Sequence, residues 1–271
     1  GFRTAAKLGR VMRIGYTPDT FGHIAQLPQI LRGFGIDAAV FWRGIGDDVA
    51  HSEFVWRAPD GSEVLVVGLP LAYDNAAVLY RDEQALRQQL DQLRKGLEPL
   101  ATTEHLLLMN SDDHAWPQSD VPEAIATANK MLDDAELVQG SLETYVDGVR
   151  AAAARDGVVW ESVEGEFRSP RLAHILAGVL STRMWIKQWN RRCEDLLERW
   201  AEPLNAFVEM AGGARHGLPV GAAAKSLLDQ AWRYLLQNQA HDSICGCSVD
   251  AVHEEMRTRF RACEQIGRAH V

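Results

Sequence analysis

The sequence predicts an α/β region followed by a bundle of helices. Two observations carry this. Through about residue 165, short apolar runs alternate with amphipathic helical stretches, the pattern of strands and helices wound about a parallel sheet or barrel. From Leu172 the strand signals give way to three long amphipathic segments, residues 172–206, 222–240 and 248–268. Gly212-Gly213 and a loop over 242–246 separate them, and the expected domains are 1–165 and 166–271.

Taken in order, residues 11–16 read as a strand entering a turn at Pro18-Asp19, and a helix over 24–34 is stopped by Gly35. Residues 38–42 are a second strand. Residues 54–57 and 63–68 flank Pro59-Asp60-Gly61, a hairpin signal because glycine supplies the positive φ a tight turn needs. Residues 83–97 place apolar side chains at helical spacing with charges between them. Residues 105–109 read as a buried strand, 121–132 as a helix, 137–139 as a short strand and 142–153 as a helix. Folds of this kind present their sites at the C-terminal ends of the strands.

The 271 residues, 46% hydrophobic, suffice for one large domain or two modest ones. With 28 Lys+Arg against 37 Asp+Glu the net charge is −9, which disfavours a nucleic-acid partner. No apolar run approaches the roughly 18 residues that span a bilayer, so no membrane partner is expected. Cys193, Cys245, Cys247 and Cys263 are too sparse for a disulfide framework and fit thiols in a cytoplasm. The chain starts at Gly1 rather than Met, and a helical pattern runs close to Val271. Both ends read as cut, so a signal peptide is not assessable.

Three segments concentrate groups able to do chemistry. Asp19 follows the first strand, with Phe21 as a sugar-stacking surface and Gly22 allowing close backbone approach; the alternative is an Asp capping a helix that starts near His23. Asp112 and Asp113 follow the strand over 105–109. Adjacent carboxylates are costly unless solvated, metal-bound or holding a proton, although a polar turn also accommodates them. The stretch 241–250 is the densest polar cluster, and His241 and Asp242 are of types that bind zinc. A thiol site at Cys245 and Cys247, or a capped helix–helix turn, are its alternatives. His253 reads as a solvated or core histidine. Trp42, Trp116 and Trp185 can stack on sugars, although most of the eight tryptophans must be core.

Taken together, these segments resemble family 38 glycoside hydrolases, the class II α-mannosidases, in a form similar to the bacterial branch. The resemblance lies in Pro18-Asp19-Thr20-Phe21-Gly22-His23, continuing through Leu27-Pro28-Gln29-Ile30-Leu31 to Phe41-Trp42-Arg43-Gly44. It returns in Ser111-Asp112-Asp113-His114, in Gly165-Glu166, in Ser181-Thr182-Arg183 and in Asn238-Gln239-Ala240-His241-Asp242-Ser243-Ile244-Cys245-Gly246. What it implies is a seven-stranded α/β-barrel-like catalytic region, incomplete here, followed by a three-helix bundle. It implies hydrolysis of terminal α-mannosides with retention through a mannosyl-aspartate. Asp19 matches the nucleophile and a metal ligand, Asp113 the general acid/base and His241 a second ligand. Phe21, Arg43, Asp112 and Asp242 match positions that bind the sugar or lie beside it.

One zinc per site is implied, and its other two ligands, a His and an Asp, belong to a motif that does not precede Asp19 here. Thr20 and Ser111 stand where Ser and Gly are common in the family. The implied partners are a mannoside or oligosaccharide substrate and, in a cytoplasmic bacterial protein, further copies of the chain. Retaining enzymes hold their two carboxyl groups roughly 5–5.5 Å apart; Asp112 and limited solvation are expected to help Asp113 keep its proton. Two other readings stand beside this one: a metal-dependent carbohydrate deacetylase on a related barrel, and a sugar-binding fragment without turnover.

Overall fold

The computed structural model describes residues 1–212 and 222–271. Gly213, half of the expected separator, lies outside the described residues. The chain divides into two compact units, Gly1–Ile175 and Leu176–Val271.

The first unit is built on a five-stranded sheet of β1 (Gly15–Thr17), β2 (Ala38–Phe41), β3 (Glu53–Arg57), β4 (Glu63–Gly68) and β5 (Ser162–Glu164). The spatial order is β1-β2-β4-β3-β5. β1, β2 and β4 run parallel, β3 pairs antiparallel with β4, and β5 pairs parallel with β3. All four residues of β2 and the last five of β4 are buried, as expected of central strands covered on both faces. One face carries Ala39, Phe41, Phe54, Trp56 and Val66; the other carries Ala38, Val40, Leu65 and Val67 with Val146. The β3–β4 hairpin turns at Gly61, whose φ is +85°.

Five helices belong to this unit: α1 (Phe2–Leu8), α2 (Leu27–Gly33), α3 (Glu83–Leu97), α4 (Val121–Met131) and α5 (Leu142–Asp156). α3 forms where expected because Asp82 caps it, accepting from the Ala85 amide at 2.9 Å, and Leu86, Leu90, Leu93 and Leu97 fall on one buried face. α5 is capped by Ser141 and ends at Gly157 in the left-handed region.

Four sequence expectations change. The first strand shortens to Gly15–Thr17, and the helix expected from residue 24 begins at Leu27, with Pro28 in its first turn. Residues 105–109 form no strand, and the Asn75 side chain takes two of their backbone groups: its Nδ2 donates to Leu107 O and its Oδ1 accepts from Met109 N. Asn129 does the same for Leu137 through both its amide and its carbonyl, so 137–139 is not a strand.

The second unit is helical. A 3-10 turn (Ala177–Leu180) leads to α6 (Met184–Leu196), which continues through a π turn (Leu197–Ala201) into α7 (Glu202–Met210); α8 (Ala222–Gln237), α9 (His241–Cys245) and α10 (Asp250–Ala269) follow. The long segment expected over 172–206 is therefore broken, with Leu176 and Arg183 at positive φ before α6. α9, one short helix, stands where a loop was expected. Ile186, Cys193 and Leu197 share a core with Leu228 and Leu235 of α8 and with Met256 and Phe260 of α10. Trp189 stacks on Phe260 at 5.4 Å. His253 is buried and bonded to Ser248 O at 3.0 Å, so it serves the core. All four cysteines are free thiols.

Candidate active site

Because β1, β2 and β4 are parallel, their C-terminal ends share one edge of the sheet, and each delivers a polar side chain beyond it. Asp19 lies two residues past β1, Arg43 two past β2, and Tyr73 five past β4. Arg43 is buried, at 6% exposure, and its Nε donates to Asp19 Oδ1 at 2.7 Å while Nη2 stands 2.5 Å from the same oxygen. Its Nη1 donates to the carbonyl of His174 at 2.5 Å. The guanidinium lies 4.2 Å from the Trp42 ring centroid and 5.3 Å from that of Phe21, so it is fixed by apolar faces as well as by oxygen acceptors. A carboxylate held in this way, with 20% of its side chain exposed, is fixed in one orientation. Asp19 does not cap α2, which starts eight residues later behind Gln26.

The loops bearing Asp19 and Arg43 are pinned by one segment. His23 exchanges both backbone bonds with Phe167, and Ser169 N donates to Gly44 O. Gly22 and Gly44 have φ of +97° and +100°, and a Cβ on either would lie 2.7 or 2.5 Å from Phe167 O. The close approach foreseen for Gly22 is thus to a backbone carbonyl of this chain. His23 is buried against Phe41 and within 3.3 Å of Thr17 Oγ1, and burial pushes its ring down to about 4.

Asp112 and Asp113 are both exposed rather than desolvated, which corrects the expectation of limited solvation. Asp113 N donates to Asp112 Oδ1 at 2.7 Å, and Tyr73 Oη donates to Asp113 Oδ2 at 2.9 Å. The Tyr73 phenol is pushed up from its ordinary value, first by burial, then by this bond and by the charges of Asp19 and Asp113. Tyr16, on β1, is raised by burial and then by Asp113. One phenol therefore feels both carboxylates. The loop of Asp113 is fastened on either side: Asn110 Nδ2 bonds Ala76 O and Gln118 Oε1, and Gln118 bonds both the amide and the carbonyl of Leu79.

In the second unit, His241 and Asp242 open α9, with side chains 41% and 56% exposed and His241 Nε2 3.6 Å from Asp242 Oδ1. Neither Asp242 nor Ser243 caps the helix, which has no side-chain cap bond. The thiol of Cys247 donates to Asp242 Oδ1 at 3.3 Å. Among the described residues no three His, Cys, Asp or Glu side chains gather where they could hold a metal. Carboxylate oxygen and imidazole nitrogen are zinc donors, and Asp19 and His241 each carry one. Trp116 is 94% exposed, and Trp185 lies 3.8 Å from the Arg257 guanidinium.

Tyr73 and His174 were missed in the sequence. A lone tyrosine beyond a strand and a histidine acting through its backbone carbonyl carry no pattern to single them out.

The model of the glycosyl hydrolases family 38 N-terminal domain matches residues 3–163. The chain belongs to glycosyl hydrolase family 38. The alpha mannosidase middle domain matches residues 174–270. A putative mannosylglycerate hydrolase of Halalkalibacterium halodurans is 34% identical over 266 residues, covering 93% of this chain and 28% of that protein. Human alpha-mannosidase 2C1 is 27% identical, covering 96% of this chain and 24% of that protein. Among solved structures, an alpha-mannosidase from Enterococcus faecalis V583 superposes with a TM-score of 0.88 at 34% identity, over 97% of this chain and 29% of that one. The family 38 chain thus spans less than a third of the length of these relatives. No helix among its described residues is long and apolar enough to cross a membrane.

Proposed function

We propose that the protein containing this chain is a retaining α-mannosidase in which Asp19 is the nucleophile and Asp113 the general acid/base. The observation that carries this is the Tyr73 phenol, bonded to Asp113 and acted on by the charge of Asp19, with Arg43 locking Asp19 in one orientation. In the first step Asp19 attacks the anomeric carbon and Asp113 gives its proton to the departing oxygen. In the second, Asp113 takes a proton from water as that water displaces the mannosyl group from Asp19. The paired Arg43 holds one Asp19 oxygen so that attack geometry does not depend on side-chain rotation. Phe21 offers the sugar an apolar face, while Asp112 and Asp242 are suited to accept hydrogen bonds from its hydroxyls.

Asp19 and His241 would contribute an oxygen and a nitrogen donor to zinc, with two further donors outside this chain, and a bound zinc would polarise sugar hydroxyls. The same reading takes 1–165 as part of a seven-stranded barrel-like catalytic domain and 166–271 as a helical middle domain. The name of the Halalkalibacterium relative brings mannosylglycerate among the substrates, beside α-linked oligomannosides. Four free thiols fit a cytoplasmic protein, and self-association is part of the same reading.

Stereochemistry tests it. Full-length protein is given an aryl α-mannoside, and the anomeric protons of the product are followed by NMR. α-Mannose is expected first, with the β anomer growing in only by mutarotation; β-mannose first would refute the double displacement.

A further inference from the structure

Two cationic side chains of the second unit converge on α9, one of them from a strained backbone, and neither has a part in the proposed reaction. Lys187 Nζ, half-buried on α6, donates to Cys245 O at 2.9 Å and to Thr182 O at 2.6 Å. Arg183 Nε donates to Gly246 O at 3.1 Å, and its Nη2 donates to Asp250 Oδ1 at 2.6 Å. The two side chains thus take the carbonyls at the C-terminal end of α9 and tie its exit to the first turn of α10. Arg183 does this from a left-handed backbone, φ +48° and ψ +55°, a conformation that costs a non-glycine residue energy and persists where its surroundings hold it. Gly246 sits against it, since a Cβ there would meet Arg183 Cβ, Arg183 Cδ and Thr182 Cγ2, each at 3.3 Å.

We propose that Arg183 and Lys187 are positioning residues that clasp Cys245 O and Gly246 O and so fix the short helix carrying His241 and Asp242. The inference rests on the reading of those two residues as metal ligand and sugar contact. An ordinary helix C-cap needs one glycine, which Gly246 already supplies at φ +81°. Two cations, one of them a left-handed arginine, are more than chain reversal requires. α9 has few other anchors. It is five residues long, lacks a side-chain N-cap, and buries only Ser243, with Ile244 packed on the core. A metal ligand on so short an element needs its orientation set by partners behind it, and losing such partners typically weakens metal binding or activity by about 10–100-fold.

The test uses full-length protein with Lys187→Met, Lys187→Arg and Arg183→Lys, beside His241→Ala. Zinc affinity is measured by competition with a chromophoric chelator, and local opening by amide hydrogen exchange of a peptide spanning 238–248. Lys187→Met is expected to lose about 10–100-fold in zinc affinity and to speed exchange in that peptide while the α6 and α10 cores keep their protection. Lys187→Arg, which retains a donor, recovers much of both. Zinc affinity within twofold of the parent in Lys187→Met and Arg183→Lys, while His241→Ala loses its zinc, overturns the clasp alone. Loss of protection throughout the bundle also overturns it, since the two residues would then be serving the fold. Unchanged zinc affinity in His241→Ala overturns the ligand reading and the clasp with it.

Discussion

At the scale of single residues, buried polar groups in the first unit are matched to their surroundings. Glu53, 1% exposed, accepts from Ser52 Oγ, Tyr145 Oη and both the amide and hydroxyl of Thr102. Four donors satisfy a buried carboxyl group, and the Tyr145 phenol beside it is raised, first by burial and then by Glu53. His23 is the reverse case, an imidazole kept neutral by its surroundings. Its folded value of about 4 lies below the roughly 6.5 of an unfolded histidine. The unfolded chain therefore takes up a proton first as pH falls. The stability that neutral His23 allows is complete above about pH 6.5 and is lost between there and pH 4, by about 3 kcal/mol in all. Urea midpoints measured from pH 7.5 to 4.5 are expected to fall, and to fall less steeply in His23→Gln. Equal slopes would show that His23 is not held neutral. Because His23 anchors the loop of Asp19 through Phe167, that loss reaches the site.

At the scale of elements, the site depends on backbone approaches that only glycine permits. Gly44 and Gly61 both have positive φ, +100° and +85°, but Gly44 faces Phe167 O at 2.5 Å from a built Cβ whereas Gly61 has nothing within 4 Å. Alanine at either position pays about 1–3 kcal/mol for the conformation. Gly44→Ala must in addition displace the segment that pins the Asp19 and Arg43 loops, so it is expected to be the more destabilising by about 1 kcal/mol or more, read as a larger drop in denaturant midpoint. Equal losses would mean that the segment yields easily.

Elements also set what was legible. The Pro59-Asp60-Gly61 hairpin and α3 carry their own turn and capping signals and form where the sequence places them. β5 has three residues, two of them exposed and charged or polar, and its pairing with β3 spans more than a hundred positions, so no local pattern announces it. Residues 105–109 have strand composition, yet they form no strand and the Asn75 side chain, more than thirty positions away, bonds Leu107 O and Met109 N, contacts that composition cannot encode. Arg43 was singled out by the family resemblance alone, whereas His241 stood out in a dense polar cluster and Asp19 and Asp113 just after strand signals. Tyr73 did not, because its importance lies in facing two carboxylates contributed by other segments.

At the scale of the whole molecule, the chain holds two compact units and about a quarter to a third of its relatives' length. The first unit alone brings together Asp19, Arg43, Phe21, Tyr73 and Asp113 through hydrogen bonds, a guanidinium–ring contact and charge. The acid/base and nucleophile roles can thus be judged at one end of the sheet. The central claim is that Asp19 bonds covalently to mannose, and trapping measures this most directly. Full-length, zinc-loaded protein is incubated with a fluorinated mannosyl fluoride, and its peptides are mapped by mass spectrometry. One fluoromannosyl group is expected on the peptide containing Asp19, and none in Asp19→Ala. A protein that turns over α-mannosides yet shows no adduct, or carries it on another residue, would contradict the assignment.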